Sequence, residues 1–205
     1  MSHELVSRLE RGQLRGVTIE SLDRIATALD ATLVIQLRWQ GEQLDRMLDA
    51  AHASLQESVT QMLAGAGYLV RTEVSFNHFG DRGRVDVVAF HAPTQILLVV
   101  EIKSVLGDLQ ETLGRLDIKT RVGAVLCREL GWPSPSAAVP VLVMGERRTA
   151  RRIVERHAAL FLRFSLRGLA ARRWVSRPEL PAPAGLLWFH RLSDSRQSTH
   201  RSAAQ

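Results

Sequence analysis

Residues 96 to 103, Ile-Leu-Leu-Val-Val-Glu-Ile-Lys, constrain the fold of this 205-residue chain more than any other segment. Five consecutive apolar residues leave a strand no face to show to water, so structure must cover it on both sides. The run nevertheless ends in two charges separated by Ile102. Side chains alternate along a strand, so Glu101 and Lys103 project from one face, about 7 Å apart along the strand, while Ile102 packs on the other.

The surrounding pattern supplies the cover. From Glu42 to Ala64, Leu44, Met47, Leu48, Ala51, Leu55, Val59, Met62 and Leu63 keep helical spacing, and Gly65 and Gly67 end the run. Strand-like segments follow at Tyr68 to Phe76, Arg84 to Phe90 and Gln95 to Lys103, with turn residues Asn77 to Gly83 between the first two, which predicts a meander. Asp108 to Leu130 returns to helical spacing, and Val139 to Met144 is an apolar strand. A strand, a crossover helix and a strand imply parallel pairing with the 95 to 103 segment. Beyond it, Thr149 to Ala159 reads as a basic helix, Phe161 to Leu166 as a strand, Arg167 to Val175 as a short helix and Leu186 to Leu192 as a last strand. Residues 193 to 205 are polar and predict disorder.

Asp86 lies within Val85-Asp86-Val87-Val88, on the strand before the apolar run, and antiparallel neighbours can bring it alongside Glu101. Two carboxylates and a lysine at the ends of buried strands form a hard-oxygen pocket for a divalent cation. Mg²⁺ (or Mn²⁺) readily takes one or two carboxylates together with substrate phosphate oxygens. Lysine usage sharpens the point. Of 27 basic residues 25 are Arg, and only Lys103 and Lys119 are Lys. A lysine kept in an arginine-rich chain hints at chemistry a guanidinium cannot do, because arginine is larger, planar and effectively never deprotonated. The alternative for Glu101-Ile102-Lys103 is a solvated surface pair worth under about 1 kcal/mol.

Asp86, fourteen intervening residues and then Glu101-Ile102-Lys103 resemble the PD-(D/E)XK motif of the restriction-endonuclease-like nucleases, with Val85 in place of the proline. The order of elements over residues 44 to 145 is similar to that superfamily's αβββαβ core. The resemblance implies Asp86 and Glu101 as metal ligands, the Ile102 carbonyl as a third and Lys103 as the catalytic lysine. Many members carry a further acidic residue on the first helix; Glu57 is the candidate by position and Glu73, on the first strand, the substitute. Gln110 and Lys119, on the helix after the motif, are candidates to face the scissile phosphate.

Charge divides along the chain. Residues 1 to 120 hold 12 basic and 16 acidic side chains, residues 121 to 205 hold 15 and 5, so a basic surface suited to phosphates lies beside an acidic region. Arg147, Arg148, Arg151, Arg152 and Arg156 form the densest basic cluster; the first four are the candidate nucleic-acid contacts, and a solvated helix face is the alternative. His52 falls on the apolar stripe beside Leu48 and Leu55 and reads as a core histidine; the four Trp read as core too. Cys127, the single cysteine, excludes an internal disulfide and reads as a buried small hydrophobe.

Toward the N-terminus, Thr18 caps a short helix to Leu29 with Leu22, Ile25, Ala26 and Leu29 on one stripe, and Leu33, Ile35, Leu37 and Trp39 alternate as a strand. Ser7-Arg8-Leu9-Glu10-Arg11-Gly12 and this helix resemble the later part of a Cro/phage-repressor (XRE) helix-turn-helix over residues 2 to 39, without counterparts of its first two helices. A remnant, a start further upstream and a packing extension of the core remain open.

The expectation is therefore an α/β protein: a partial helix-turn-helix segment over 1–40, a restriction-endonuclease-like αβββαβ domain over 42–192 and a tail over 193–205. DNA binding with Mg²⁺-dependent phosphodiester hydrolysis is the leading function. Its rival is a non-catalytic DNA-binding transcriptional regulator with a degenerate nuclease-like domain. DNA is the expected partner and a homodimer a possible assembly. No apolar stretch reaches the roughly 20 residues of a membrane span, and no signal-peptide pattern opens the chain, so a cytoplasmic location is expected.

Overall fold

The computed structural model describes residues 3–13, 15–33, 35 and 42–191, apart from the side chains of 3–5, 9 and 42–45. The chain divides into two compact units, Met1–Gly41 and Glu42–Gln205. In the first, α1 (His3–Glu10) is followed by α2 (Ile19–Ala28), which Thr18 caps by accepting the Ser21 N–H at 3.2 Å. Of the expected strand through Leu33 to Trp39 only Leu33 and Ile35 are described, neither of them in a strand; the rest of it and the tail over 193–205 lie outside the described residues.

The second unit runs α3 (Glu42–Gly65), β1 (Leu69–His78), β2 (Asp81–His91), β3 (Ile96–Lys103), α4 (Leu109–Arg121), α5 (Gly123–Glu129), β4 (Ala137–Gly145), α6 (Arg148–Arg156), β5 (Leu166–Arg167), α7 (Gly168–Ser176) and β6 (Leu186–His190). The fold is α/β, and α3 through β4 follow the expected αβββαβ order with the crossover helix split into α4 and α5. One mixed sheet has the order β1-β2-β3-β4-β6-β5. β1, β2 and β3 form an antiparallel meander, and β3 and β4 pair in parallel, as the crossover predicts. The apolar run of β3 is buried on both faces. Leu97 and Val99 pack with α4, α5 and α6 on one side, while Leu98, Val100 and Ile102 pack with Leu55, Val59 and Leu63 of α3 and Val175 of α7 on the other. Trp188 and Cys127 are fully buried, and burial pushes the Cys127 thiol up to about 11. Trp132 stacks on Phe90 with centroids 5.9 Å apart. No described helix is long and apolar enough to cross a membrane.

Three elements differ from the sequence reading. The single helix expected over Asp108 to Leu130 breaks at Val122, where the chain turns Gly123 so tightly onto the sheet that a Cβ would come within 3.0 Å of Leu97 and Ala138. The strand expected over Phe161 to Leu166 is instead the end of a 3₁₀ helix, Ala158–Phe161, then a turn and an irregular link, with only Leu166 entering the two-residue β5. Phe161 and Phe164 are both buried while Leu162 is exposed, a three-residue spacing that suits a helical turn. The turn expected over Asn77 to Gly83 shrinks to Phe79 and Gly80. Both have positive φ, 48° and 89°, the two-residue hairpin geometry in which Asn or Gly is usual and Phe is not, while Asn77, Arg82 and Gly83 join the ladder.

Candidate active site

β3 delivers Glu101 and Lys103 to the α4 side of the sheet and Ile102 to the α3 side, as strand alternation requires. Glu101 is buried. Its Oε1 meets Lys103 Nζ at 2.8 Å, and its Oε2 accepts a hydrogen bond from Lys119 Nζ. Both lysines of an arginine-rich chain thus converge on one carboxylate. Lys119 arrives because α4, capped by Asp108 on the Glu111 N–H at 2.9 Å, seats Leu113 and Leu116 in the core. Thr112 and Lys119, seven residues apart, then share the stripe that faces β3. The lysines differ in access: the Lys103 side chain is 33% exposed, that of Lys119 only 9%.

Asp86 sits where the β1–β2 hairpin changes phase. Val87 and Ala89 pack on the α3 side, yet Val85 packs on the α4 side; on β1, Val70 packs on the α3 side and Val74 and Phe76 on the α4 side. Between these positions Glu73 and Asp86 stand opposite each other, and Glu73 has φ 55°. A non-glycine residue in this region is strained, and such strain is found at functional sites. The β2–β3 ladder ends at Val87 and Val100; beyond it, Asp86 Oδ2 accepts the Ile102 N–H at 2.6 Å, so a side chain replaces the next backbone acceptor.

Burial first, and then the Glu101 carboxylate, raise the Asp86 pKa above the usual carboxylate value; the Ile102 N–H, Lys119 and His52 oppose this. The folded state therefore holds the proton more tightly than the unfolded chain. The Asp86 contribution to stability is fully present below the unfolded carboxyl's pKa and is lost as pH rises through the raised folded value. Asp86→Asn keeps an acceptor for Ile102 and removes that decline. In chelator at neutral pH it is expected to melt at or above the wild-type temperature, with the difference shrinking below the carboxylate range. Thermal melts across pH test this, and a variant melting well below wild type at neutral pH would show that the carboxylate is stabilising after all.

Asp86, Glu101, Lys103, Glu111, Thr112, Arg115 and Lys119 line an open cleft of about 310 Å³. Gln110 is exposed and does not line it. Glu57 is exposed and accepts a hydrogen bond from Gln61, whereas Glu73 lies beside Asp86. Gln56 joins the two strands, donating to Glu73 Oε1 at 2.9 Å and to the Asp86 carbonyl at 3.0 Å, and Arg84 pairs with Glu73. His52 is not the core residue expected. It is half-buried, and ligand atoms of His52, Glu73 and Asp86 lie within 4.8 Å of one another. The three come from α3, β1 and β2, so no short sequence spacing announces the group; only the histidine's regular spacing on α3 was visible, and it pointed inward. Arg147, Arg148, Arg151 and Arg152 lie outside the cleft, exposed around the start of α6, with Arg151 held by Glu146 and lying over the Phe189 ring at 4.5 Å.

The donor set fits a divalent cation. Asp86 and Glu101 offer hard oxygens at a cleft roomy enough for a hydrated ion. Burial first and the Glu101 carboxylate second disfavour a bare Asp86 anion, and a bound cation would offset both. An imidazole at His52 would add affinity for Mn²⁺ over Mg²⁺, since nitrogen ligands suit transition metals better.

No family model and no curated protein matches the chain. Among solved structures, it is similar to a repair endonuclease from Pyrococcus abyssi, with 14% identity and a TM-score of 0.35 over 77% of this chain and 50% of that one. It is also similar to a protein of unknown function, with 16% identity and a TM-score of 0.31 over 50% and 52%. The chain spans about half the length of each. Neither likeness is close enough to assign an activity, and the site stands on its own geometry.

Proposed function

We propose that this chain is a divalent-metal-dependent phosphodiester hydrolase acting on DNA. The observation that carries the reading is the convergence of Asp86 and Glu101, from neighbouring strands, on a cleft that also takes both lysines of the chain. Asp86, Glu101 and the Ile102 carbonyl are the proposed protein ligands. When bound, a divalent cation supplies Lewis-acid stabilisation of charge developing on the phosphodiester.

The chain's own residues supply the rest. Lys103, the more accessible lysine, orients the attacking water and offsets charge on the phosphate. Its bond to Glu101 fixes where that ammonium sits. Lys119 holds the second Glu101 oxygen from the protein side and keeps the carboxylate aimed. Asp86 is held by the Ile102 N–H, so its second oxygen faces a fixed direction. Arg147, Arg148, Arg151 and Arg152 are proposed to contact flanking phosphates, and residues 1–40 to add a helix-turn-helix type contact.

One observation favours a second reading. A Glu101 carboxylate neutralised by two ammonium groups can tie β3 to α4 with no cation, as a non-catalytic DNA-binding regulator would need. A cleavage assay over single-stranded, duplex and branched DNA, with Mg²⁺, Mn²⁺ or chelator, separates the two. Metal-dependent cleavage of any substrate supports the hydrolase; DNA binding without cleavage under every condition supports the regulator.

A further inference from the structure

A second cleft adjoins the candidate active site. It holds about 380 Å³ and is lined by Phe76, Arg82, Gly83, Arg84, Ile118 and two residues of the first cleft, Arg115 and Lys119. The shared residues make the two clefts one groove. Its floor is apolar: Ile118 is half-buried, and the Phe76 ring, 6% exposed, lies against Gly83, where a Cβ would meet it at 2.9 Å. Its rim is cationic. Arg84 is paired with Glu73 and Arg115 with Glu111, but Arg82 has no ion pair among the described residues.

The same hairpin continues past the groove to Phe79. That residue is 97% exposed, its ring edge-on to His78 with centroids 4.4 Å apart. Phe79 is unfavourable for folding twice over, with φ 48° in a tight turn and its ring in water. From Phe76 to Phe79 is about 10 Å along the strand, the length of about three stacked nucleotides. An aromatic ring and an apolar floor interleaved with guanidinium groups complement a nucleic-acid strand, bases against rings and phosphates against arginines. A lone ring among charged residues gives an apolar protein surface little to cover.

We propose that the groove is the track of a single DNA strand leading from the candidate active site to the hairpin tip, where Phe79 stacks on an unpaired base. The proposal rests on the DNA reading above and adds a substrate class: DNA with an unpaired segment beside the phosphodiester to be cut. Arg82, Arg84 and Arg115 take phosphates along the way, and the half-buried Ile118 gives a base an apolar edge to lie against.

Fluorescence anisotropy of the full chain in chelator tests this without cleavage. The probes are a labelled thymidine oligonucleotide, an abasic strand of equal length and a blunt duplex. Wild type is expected to bind the thymidine strand most tightly. Phe79→Ala should lose about tenfold on that strand and nothing on the abasic one, with recovery in Phe79→Trp, because stacking needs a base. Arg82→Gln should weaken both single strands and flatten their salt dependence. Phe79 is exposed, so its replacement leaves the core untouched. The proposal is overturned if Phe79→Ala binds like wild type, if it loses equally on the abasic strand, or if the duplex binds best. A wild type that binds no DNA overturns the proposed function as well. A wild type that cleaves DNA with metal while Phe79→Ala binds normally removes the groove alone.

Discussion

Lys103→Arg is expected to lower metal-dependent cleavage by about a hundredfold, the loss that misplacing a reacting group by about 1 Å can cause, with the fold intact. The charge survives, so a purely electrostatic role would survive with it. What changes is shape: a guanidinium is wider, planar and forks its hydrogen bonds, so it does not hold a water where the compact ammonium does. The Lys103 side chain is partly exposed, and its bond to Glu101 Oε1 is the only hydrogen bond or ion pair it makes among the described residues, so Arg fits without displacing core atoms. Initial cleavage rates, with circular dichroism to confirm folding, measure it. An Arg variant that cleaves at the wild-type rate would reduce Lys103 to a surface cation.

The second large effect falls on stability. Lys119→Met removes the buried ammonium from Glu101 Oε2 and leaves a carboxylate 3% exposed with, among the described residues, only Lys103 as an ion-pair partner. Breaking a buried pair from one side is expensive, so a loss of about 3 kcal/mol is expected. Adding Glu101→Gln should recover part of it, because the uncompensated charge disappears with the carboxylate. Urea denaturation of the two single variants and the double one closes a mutant cycle; a coupling above about 1 kcal/mol is predicted, and simple additivity would show that the pair does not act as a unit.

Much of this site is legible in the sequence because it rests on one strand. The uninterrupted apolar run fixes β3 as a central strand, and period-2 alternation then dictates that Glu101 and Lys103 share a face. The lysine count also pointed at Lys119, although nothing local said that it would meet Glu101; that contact needs the packing of Leu113 and Leu116 to set the rotation of α4. Glu73 and His52 were harder to read. Strict alternation along β1 and β2 gives no hint of the phase reversal, because it depends on a strained Glu73 opposite Asp86 rather than on a glycine. His52 keeps helical register with Leu48 and Leu55, and only the position of β1 reveals that its ring reaches the carboxylates. The hairpin tip was misread for a similar reason: turn chemistry favours Asn or Gly, so a Phe at positive φ carries no turn signal of its own.

The claim that Asp86 and Glu101 form a metal centre is tested most directly by Mn²⁺ titration of the full chain, read by electron paramagnetic resonance of the free ion. Wild type is predicted to take up Mn²⁺ saturably, with Mg²⁺ competing, and Asp86→Asn to lose most of that uptake while keeping its fold. Uptake that is absent in wild type, or unchanged in Asp86→Asn, would contradict the account.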